Sequence, residues 1–339
     1  MGFEPDSENG IGVAIIGANG NVGRLLLEEL IHAPFPVSHI RLLGNPIKGL
    51  QRINIDGHDF PIHPWREDIS DNPQLEGVDL VYLAAPASVS KDIGAGLRSE
   101  GIACIDFSGS DSTWGWALSG VNVNWEAFRE HRYLAIPGSA STLWAHVMAS
   151  LIPLGAAAGR ATFLMPASIA GAQGASELSE QVVALFNTKS PPRKVFDNGL
   201  AFDVLPSWGP SKGGWTQLEA SIAVELANVL GTHPSRFIST VNIVPTFSGL
   251  SVSLHISFEG SVELEAVENA LEQSRILELE EPLLGPQHWI GMNRIGVGRL
   301  RLDPLGDGIH IWATADEIRA LGVRNALSLL STMHSQQLL

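Results

Sequence analysis

The chain is poor in cysteine and in positive charge. Its 339 residues contain a single cysteine, Cys104, which excludes an internal disulfide and a cysteine-rich zinc site and predicts a reducing compartment. Lys and Arg number 21 against 36 Asp and Glu, giving a formal net charge of −15. Because nucleic acids and anionic membranes bind clustered Lys and Arg, this balance argues against either as a partner.

Long hydrophobic runs are missing as well. The acidic first residues, 1–8, lack the apolar segment of a signal peptide. The most apolar stretch, 143–159, is interrupted by His146, Ser150 and Pro153, so it predicts a buried helix rather than a membrane span. Together with the single cysteine, these absences predict a cytoplasmic protein. With 45% hydrophobic residues, the chain is long enough for two domains with cores of their own.

The most informative stretch is the glycine-rich segment from Val13 to Gly23. An apolar run ends at Gly17, Gly20 and Gly23 follow at a spacing of three, and residues 24–31 then take up a helical pattern. Strand, tight turn and helix are the context of a dinucleotide-binding loop. Glycines let the backbone approach a pyrophosphate closely, and the N–H groups at the helix start face its negative charge. A tight turn without a ligand has the same pattern and stays the alternative.

The second predicted strand bears on the choice between NAD and NADP. Residues 39–43 form a strand that ends at Gly44, where NAD-binding folds commonly carry an acidic residue for the ribose hydroxyls. No acidic residue stands there. The segment offers Asn45 and Lys48 instead, which suit a 2′-phosphate better, so the sequence favours NADP. A solvated loop lysine is an equally good interpretation of Lys48.

A predicted hairpin over 51–64 carries His58 and His63 beside its second strand. No acidic or thiol side chain stands at a ligand spacing from this pair. The single cysteine, Cys104, lies inside an apolar run, where it is typical of a small core residue rather than a catalytic thiol. The sequence therefore predicts no metal site.

Strands and helices alternate in the first part of the chain. Apolar runs at 78–85, 101–106 and 133–136 are typical of strands buried on both faces of a sheet. Between the first two runs, Ser88 is placed to cap a helix that extends to Arg98. This alternation predicts a doubly wound α/β domain with a parallel sheet.

The pattern changes after residue 136. The segment Pro137–Thr142 is rich in Gly and Ser and precedes an apolar helix over 143–151, which suits either an oxyanion or nucleophile site or an ordinary N-cap. An irregular stretch, 187–214, indicates a surface excursion or an interface arm. Alternating strands and further helices are predicted at 162–165, 238–245, 251–258 and 309–314, and at 175–185, 216–230 and 264–271.

These segments predict an α+β second domain. We place the dinucleotide-binding domain at 1–136 and the second domain, which would dimerise and hold substrate, at 137–317. An amphipathic helix over 318–330 is able to return to the first domain, so we assign 318–339 to that domain.

Six motifs occur in the order found in the aspartate-semialdehyde dehydrogenase family, which the chain resembles over nearly its whole length. They are Gly17–Gly23, Ala84–Ser90, Ile105–Gly109, Leu200–Pro206, Gly296–Arg301 and Ile311–Asp316, the last followed by Asn325 and Ala326. The resemblance implies a Rossmann-like domain joined to an α+β dimerisation domain, and a homodimer with the second sheet as its interface. It also implies NADP contacts from Gly17, Asn19, Gly20, Asn21, Val22, Gly23, Asn45, Lys48, Ala85, Pro86 and Asn325.

The residues that carry the family's chemistry are absent at the matching positions. In the family a cysteine thiolate adds to the aldehyde, NADP takes the hydride and phosphate releases an acyl phosphate. Here Ala140 falls at the cysteine position, or Ser139 or Ser141 if the extra residue is placed differently, and the histidine base falls at Leu250. The family's glutamine, its two arginines and its lysine fall at or near Pro166, Ile243, Ser112 and Ser221.

This pattern resembles the Usg-type relatives of the family, which keep the fold and lose the catalytic set. One hypothesis is a catalytically degenerate homologue that still binds NADP and dimerises. Another is an active NADP-dependent semialdehyde oxidoreductase that uses Ser139 or Ser141 as nucleophile and His146 as base. A third is a non-enzymatic dimeric scaffold or regulatory partner. The sequence does not decide among these hypotheses and does not identify the small-molecule substrate.

Overall fold

A computed structural model describes residues 10–45, 47, 49–66, 69, 72–111, 113, 115–306 and 308–339 of the chain. The backbone divides into two compact units, one formed by Met1–Gly138 with Gly322–Leu339 and the other by Ser139–Leu321. Within the described ranges, no helix has both the length and the hydrophobicity needed to cross a membrane.

The first unit contains a seven-stranded sheet. Its strands are β1 (Ile11–Ile16), β2 (Val37–Gly44), β3 (Gln51–Ile55), β4 (His58–Pro64), β5 (Leu80–Leu83), β6 (Ala103–Asp106) and β7 (Tyr133–Ala135). Their order is β3-β4-β2-β1-β5-β6-β7, and every neighbouring pair is parallel except the β3–β4 hairpin. The helices are α1 (Asn21–Ile31), α2 (Ala87–Ser99), α3 (Trp125–His131) and the C-terminal helix Arg324–Ser335. The predicted doubly wound parallel sheet is confirmed.

Burial explains why β1 is apolar throughout. All six of its residues are buried, and β1 lies between β2 and β5 in the interior of the sheet. A strand in that position is covered on both faces, so it has no solvent side on which polar residues would alternate. Helix α1 contributes Leu26, Leu27 and Leu30, each at most 1% exposed.

Two predictions for this unit are resolved by the structure. The hairpin expected over 51–64 is confirmed as β3 and β4. The cap expected at Ser88 is wrong, because α2 begins at Ala87 with Pro86 at its N-cap position and no side-chain cap. Pro86 suits that position, since its fixed φ is compatible with the entry to a helix.

The C-terminal helix is fastened to the first unit by polar contacts. Asn325 accepts a hydrogen bond from the Ser119 amide at 2.8 Å and donates to the Ala117 carbonyl at 3.0 Å. The hydroxyl of Tyr82 donates to the Ala326 carbonyl at 3.4 Å. The chain thus returns to complete the unit in which it began.

The second unit contains a six-stranded mixed sheet with the order β11-β8-β12-β15-β14-β13. Its strands are β8 (Ala156–Met165), β11 (Phe237–Ile243), β12 (Leu250–Phe258), β13 (Leu277–Leu279), β14 (Ile295–Leu302) and β15 (Gly308–Ala315), and a small separate hairpin is formed by β9 (Ser211–Lys212) and β10 (Trp215–Thr216). The helices are α4 (Ser139–Leu151), α5 (Gly171–Phe186), α6 (Gln217–Leu230), α7 (Leu264–Glu272) and α8 (Pro286–Trp289). The predicted α+β character is confirmed.

Side chains alternate along β12 as expected for a sheet with one buried face. Val252, Leu254 and Ile256 are fully buried, whereas Ser253 and His255 between them are only partly buried. The period of two puts these sets on opposite faces of the sheet.

A buried carboxylate organises the irregular segment that follows α5. Glu177 is 4% exposed and accepts hydrogen bonds from the backbone amides of Lys194, Val195 and Phe196 at 2.6 to 2.9 Å. One helical turn later, Gln181 accepts from the amides of Leu200 and Ala201 and donates to Glu177. The segment is therefore ordered by side chains of α5 rather than by secondary structure of its own.

These contacts also set the ionisation of Glu177. Burial raises the pKa of a carboxyl, but the amides of Phe196, Val195 and Lys194 and the side chain of Gln181 favour the charged form, so the pKa of Glu177 lies below its ordinary value of 4.5. Because the folded-state pKa is depressed, this stabilisation is complete above the unfolded-state pKa. It is lost as pH falls below about 4.5 through the folded-state pKa.

We expect Glu177→Gln to lower the free energy of unfolding by about 2 to 3 kcal/mol near pH 7, because the new NH₂ group faces backbone donors that need an acceptor. The difference from the parent protein should shrink on acidification below about pH 4.5. Urea unfolding followed by circular dichroism measures both effects. Glu180→Gln on the exposed side of the same helix is the control, and an equal loss in both variants would contradict the role given to Glu177.

Candidate functional site

The glycine loop joins β1 to α1 at the edge where parallel strands end. Gly17 adopts φ +93, and a Cβ on it would lie 2.3 Å from the carbonyl oxygen of Ala84 at the end of β5. A Cβ on Gly23 would lie 2.5 Å from the carbonyl oxygen of Gly17. Both glycines are therefore required by the packing of the first unit, whatever the loop binds.

Gly20 differs from its two neighbours. It has an ordinary extended conformation, φ −78 and ψ 164, and the nearest atom to a Cβ there is 3.4 Å away. Other residues would fit this position without strain, and Ser, Asp or Asn would cap the helix. The absence of a side chain at Gly20 is thus the feature of the loop that packing leaves unexplained.

The first turn of α1 presents backbone donors to solvent. Gly20 is the N-cap, no side chain caps the helix, and Asn19, Gly20 and Asn21 are exposed. The first N–H groups of a helix have no intrahelical acceptor, and the helix dipole makes this end positive. The loop therefore has the donors, the charge and the open space that a pyrophosphate needs, and it fits the cofactor implied by the resemblance.

Two further predicted contacts lie beside the loop. Ala85 and Pro86 follow β5, which is hydrogen-bonded to β1, so their turn lies at the same edge of the sheet. The Ala85 carbonyl accepts a hydrogen bond from the Ser90 hydroxyl at 3.2 Å. These small side chains leave the edge open where a dinucleotide would pass.

The end of β2 carries amides rather than carboxylates. The side-chain amide of Asn19 donates to Oε1 of Gln51 at 2.6 Å, and Oδ1 of Asn45 accepts from the Ile47 amide at 2.9 Å. Asn45 is exposed, whereas Lys48 lies outside the described residues. In the described part of this segment, β2 ends at Gly44 without an acidic group to receive ribose hydroxyls.

Asn325 is predicted to contact the cofactor, and in the structure its side chain makes hydrogen bonds within the first unit. Its side chain is 5% exposed, and its carbonyl oxygen and amide nitrogen bind Ser119 and Ala117. It fixes the 117–119 segment to the C-terminal helix. A cofactor contact from Asn325 stays a prediction.

The segment at the family's cysteine position is helical from Ser139 onward, so the helix expected at 143 begins four residues earlier. Ala140 is 3% exposed and Ser141 is 1% exposed, and Oγ of Ser141 has no hydrogen-bond partner among the described residues. His146 is five positions beyond Ser141, which on an α-helix places the two side chains about 140° apart. The structure thus does not bring them together as a nucleophile and its base.

The other positions at which the resemblance predicts loss of a functional residue belong to the core or make local contacts. Leu250 and Ile243 are both fully buried in the second sheet, and Pro166 is buried at the end of β8. The Ser221 hydroxyl donates to the Leu218 carbonyl within α6 at 2.9 Å. Ser112 lies outside the described residues.

Cys104 is enclosed in the first sheet. It lies in β6 and is fully buried. Burial raises the pKa of its thiol well above 9.0, and the negative charge of Asp106 adds to the effect. A neutral, inaccessible thiol is a poor nucleophile.

Sequence reasoning missed the hub formed by Asp106. This fully buried carboxylate accepts hydrogen bonds from the Tyr133 hydroxyl at 2.5 Å and from the backbone amides of Ser108 and Ser110 at 2.8 Å. Burial and the Asp106 charge raise the pKa of Tyr133. The signal was the alternation of Asp106 with Ser108 and Ser110, which is typical of a carboxylate that closes its own turn.

The fold defines a two-domain dinucleotide-binding protein, and comparison with known families makes this specific. Residues 12–122 match the family model for the semialdehyde dehydrogenase NAD binding domain, and residues 161–320 match that for the semialdehyde dehydrogenase dimerisation domain. The chain therefore belongs to the semialdehyde dehydrogenase family. The resemblance drawn from the six motifs is confirmed.

Relatives named USG-1 homologs and relatives named aspartate-semialdehyde dehydrogenases both align along almost the whole chain. A protein named USG-1 protein homolog from Azotobacter vinelandii is 28% identical over 343 residues, which cover 96% of this chain and 98% of the relative. An aspartate-semialdehyde dehydrogenase from Rickettsia conorii is 25% identical over 329 residues, with 94% and 96% covered. The first match is to a protein not named for an enzymatic activity.

Solved structures match the fold closely. Aspartate semialdehyde dehydrogenase II from Vibrio cholerae superposes with a TM-score of 0.87 at 24% identity, covering 96% of this chain and 99% of that one. A probable aspartate-semialdehyde dehydrogenase from Pseudomonas aeruginosa gives 0.88 at 24% identity, covering 97% and 100%. The Candida albicans enzyme, solved with NADP, gives 0.70 at 14% identity, covering 98% and 100%.

We expect Cys104 in the native protein to resist thiol-specific reagents over hours and to react with about one equivalent after unfolding in guanidinium, because the reagents attack an accessible thiolate. Absorbance of the released thionitrobenzoate measures the reaction. Rapid labelling of the native protein would show an accessible thiol and would contradict the exclusion of cysteine chemistry.

Proposed function

We propose that this chain is a catalytically degenerate member of the semialdehyde dehydrogenase family, which binds NADP at its glycine loop and forms a homodimer through its second unit. The observation that carries the proposal is an intact phosphate cradle in a chain whose single cysteine is fully buried in a strand. The family's thiolate reaction needs an accessible cysteine, and the position that aligns with it holds the methyl group of Ala140.

Cofactor binding rests on the first turn of α1. The N–H groups of Asn21, Val22 and Gly23 are positioned to receive the pyrophosphate, while Gly17 and Gly20 keep the approach free of side chains. Ala85 and Pro86 border the same edge. When bound, NADP supplies a nicotinamide that exchanges hydride, and the residues of this chain only bind and orient it.

The choice of NADP over NAD rests on the end of β2. A carboxylate there would repel a 2′-phosphate and bind a diol, whereas Gly44 and Asn45 offer no negative charge. Lys48 supplies a cation in the same segment of the sequence. The cytoplasmic location suggested by the sequence stays a prediction.

Loss of the catalytic set is supported by more than one position. Leu250 and Ile243 stand where the family has its histidine base and an arginine, and both are fully buried hydrocarbon side chains. Neither a proton transfer nor an anion contact is available from such residues, and each of these effects contributes orders of magnitude to catalysis. The alternative serine nucleophile is weakened because His146 is not on the same face of α4 as Ser141, and because Ser139, seven positions before His146, is about 10 Å from it along the helix axis.

Gly20→Asp separates cofactor binding from folding. We expect it to leave stability unchanged or a few tenths of a kcal/mol higher, because Asp is a good N-cap in this extended conformation. NADP affinity should fall about 1000-fold, since like charges about 4 Å apart near a protein surface repel by about 4 kcal/mol. Calorimetric titration with NADP and NAD and thermal melts measure the two effects.

Gly20→Ser is the matched control, because it adds a cap without a charge. We expect it to weaken NADP binding less than Gly20→Asp does. Parent protein that shows no NADP binding at millimolar cofactor would favour the third hypothesis, a dimeric scaffold with a vestigial loop. Phosphate-dependent NADP reduction with aspartate semialdehyde at ordinary enzyme rates would refute catalytic degeneracy.

An interface formed by the second sheet, which the resemblance implies, stays a prediction, and we propose instead an exposed aromatic pair in the second unit as the homodimer surface. Phe186 at the end of α5 and Phe202 are 78% and 70% exposed, and their rings meet edge to face at 5.9 Å. Val183 and Val204, close to them in sequence, are 58% and 52% exposed. Exposed apolar clusters mark interaction surfaces, and all four residues fall in the segment that matches the dimerisation domain.

Backbone conformation supports the same surface. Phe202 has φ +64, a left-handed conformation that non-glycine residues adopt at a cost of about 1 to 3 kcal/mol. The cost is not recovered by burial of the ring in this unit. A second copy of the chain would cover it.

We expect Phe186→Asp to convert the dimer to a monomer. A two-fold interface contains the substitution twice, so a loss of about 2 kcal/mol per copy weakens association by about 4 kcal/mol, roughly 1000-fold. Size-exclusion chromatography with light scattering measures the state. Leu50→Asp, at a 60% exposed residue of the first unit, is the control, and a Phe186→Asp protein that stays dimeric would exclude this surface.

A further inference from the structure

Strand pairing in the second unit places two histidines side by side. His255 of β12 is directly opposite His310 of β15 in the antiparallel register, and their ring centroids are 4.9 Å apart. Both lie on the face of the sheet opposite to the buried Leu254 and Ile256. Neighbouring side chains in such a pair are close enough to bind a common partner.

A carboxylate from the adjacent turn meets both rings. Oδ2 of Asp303 lies 2.7 Å from Nε2 of His255 and 3.6 Å from Nε2 of His310. Oδ1 of the same carboxylate accepts a hydrogen bond from the Leu305 amide at 2.9 Å. The turn is closed by the Asp303 amide, which donates to the Gly308 carbonyl at 2.8 Å. One carboxylate oxygen is thus held by the turn and the other is directed at the histidines.

We propose that His255, His310 and Asp303 form a binding site for a divalent transition metal of the Zn²⁺ class. Within the described part of the chain, these residues are the group of three whose ligand atoms all lie within 4.8 Å of one another. Imidazole nitrogen and carboxylate oxygen are ligands that zinc accepts at about 2.0 to 2.2 Å, so a small adjustment of the rings brings all three into its coordination sphere.

The outer contacts of the cluster match those of known metal sites. The Leu305 amide orients the Asp303 carboxylate, as outer-shell partners orient metal ligands. Three protein ligands leave a fourth position for water or another small molecule, and the His310 side chain, 30% exposed, leaves a route to solvent. The His255 and Asp303 side chains are 11% and 9% exposed, so most of the cluster is removed from solvent.

Two arginines on strands next to the histidines would repel a metal ion. Arg160 pairs with His255 and Arg301 pairs with His310 across neighbouring strands. Both arginines are exposed, so solvent screens them, and the Arg301 guanidinium donates to the Arg299 carbonyl at 3.0 Å.

An ordinary ion pair is the competing interpretation of the cluster. A His–Asp pair needs one imidazole, whereas here a second imidazole faces the same carboxylate oxygen. The sequence predicted no metal site because the ligand pattern that a sequence displays is one of short spacing. These three residues are distant in sequence and are brought together only by the pairing of β12, β14 and β15.

The test uses the full chain after treatment with a chelator and dialysis. Titration with Zn²⁺ in a calorimeter should show about one metal per chain, and Co²⁺ should give visible absorption bands of a low-symmetry nitrogen and oxygen site. Zn²⁺ should also raise the unfolding temperature, because it binds the folded state. His310→Gln and Asp303→Asn should each weaken Zn²⁺ binding by more than about 10-fold, since loss of even an outer-shell partner weakens it by about 10- to 100-fold.

His288→Gln, at an exposed histidine of the same unit, is the matched control and should bind Zn²⁺ as the parent does. Circular dichroism without metal checks that each variant is folded, and the partly exposed His310 keeps the test valid if Asp303→Asn unfolds. Equal Zn²⁺ affinity in the parent and His310→Gln would overturn the proposal. So would a Co²⁺ spectrum that stays that of the hydrated ion.

Discussion

The first unit depends on the close approach of two strand ends. The loop after β1 lies against the end of β5 so tightly that a side chain at Gly17 would collide with the Ala84 carbonyl. Gly23 allows α1 to start directly behind the loop for the same reason. These contacts place the positive end of α1 at the carboxyl edge of the sheet, where open α/β sheets bind ligands. The phosphate cradle is therefore partly a consequence of sheet packing.

This close packing decides which glycines are evidence for ligand binding. Gly17 and Gly23 would be kept by the fold alone, so their presence does not distinguish a working site from an abandoned one. The presence of Gly20 does distinguish them, because a side chain would fit at that position and would be able to cap the helix. Its bare backbone favours a bound anion over a plain turn.

In the second unit, the positions at which we propose that the family's functional residues are lost are filled by packed side chains. Leu250 and Ile243 belong to the hydrocarbon layer of the sheet, and Ala140 is buried in the first turn of α4. Restoring a cysteine alone would leave no base and no anion contact, and restoring polar groups at these sites would bury them among apolar neighbours. The loss of catalysis that we propose is thus built into the core. The polar cluster of His255, Asp303 and His310 lies on the opposite face of the sheet.

The sequence by itself determined the class of fold, the glycine loop and the family. Each depends on local signals, such as apolar runs, glycine spacing and motif order, that survive without knowledge of long-range contacts. It also predicted that Ala140, or Ser139 or Ser141, falls at the family's cysteine position and Leu250 at its histidine position, because alignment needs no geometry. It misplaced the cap of α2 at Ser88, since cap position depends on backbone conformation.

Only the tertiary structure decided which residues meet. It buried Ser141 and turned His146 away from it, engaged Asn325 with the 117–119 segment, and used Glu177 to order the segment after α5. It also joined Asp303 to two histidines on neighbouring strands. Register between distant strands and the burial of a polar side chain arise from packing of the whole unit, so short-range sequence patterns do not contain them.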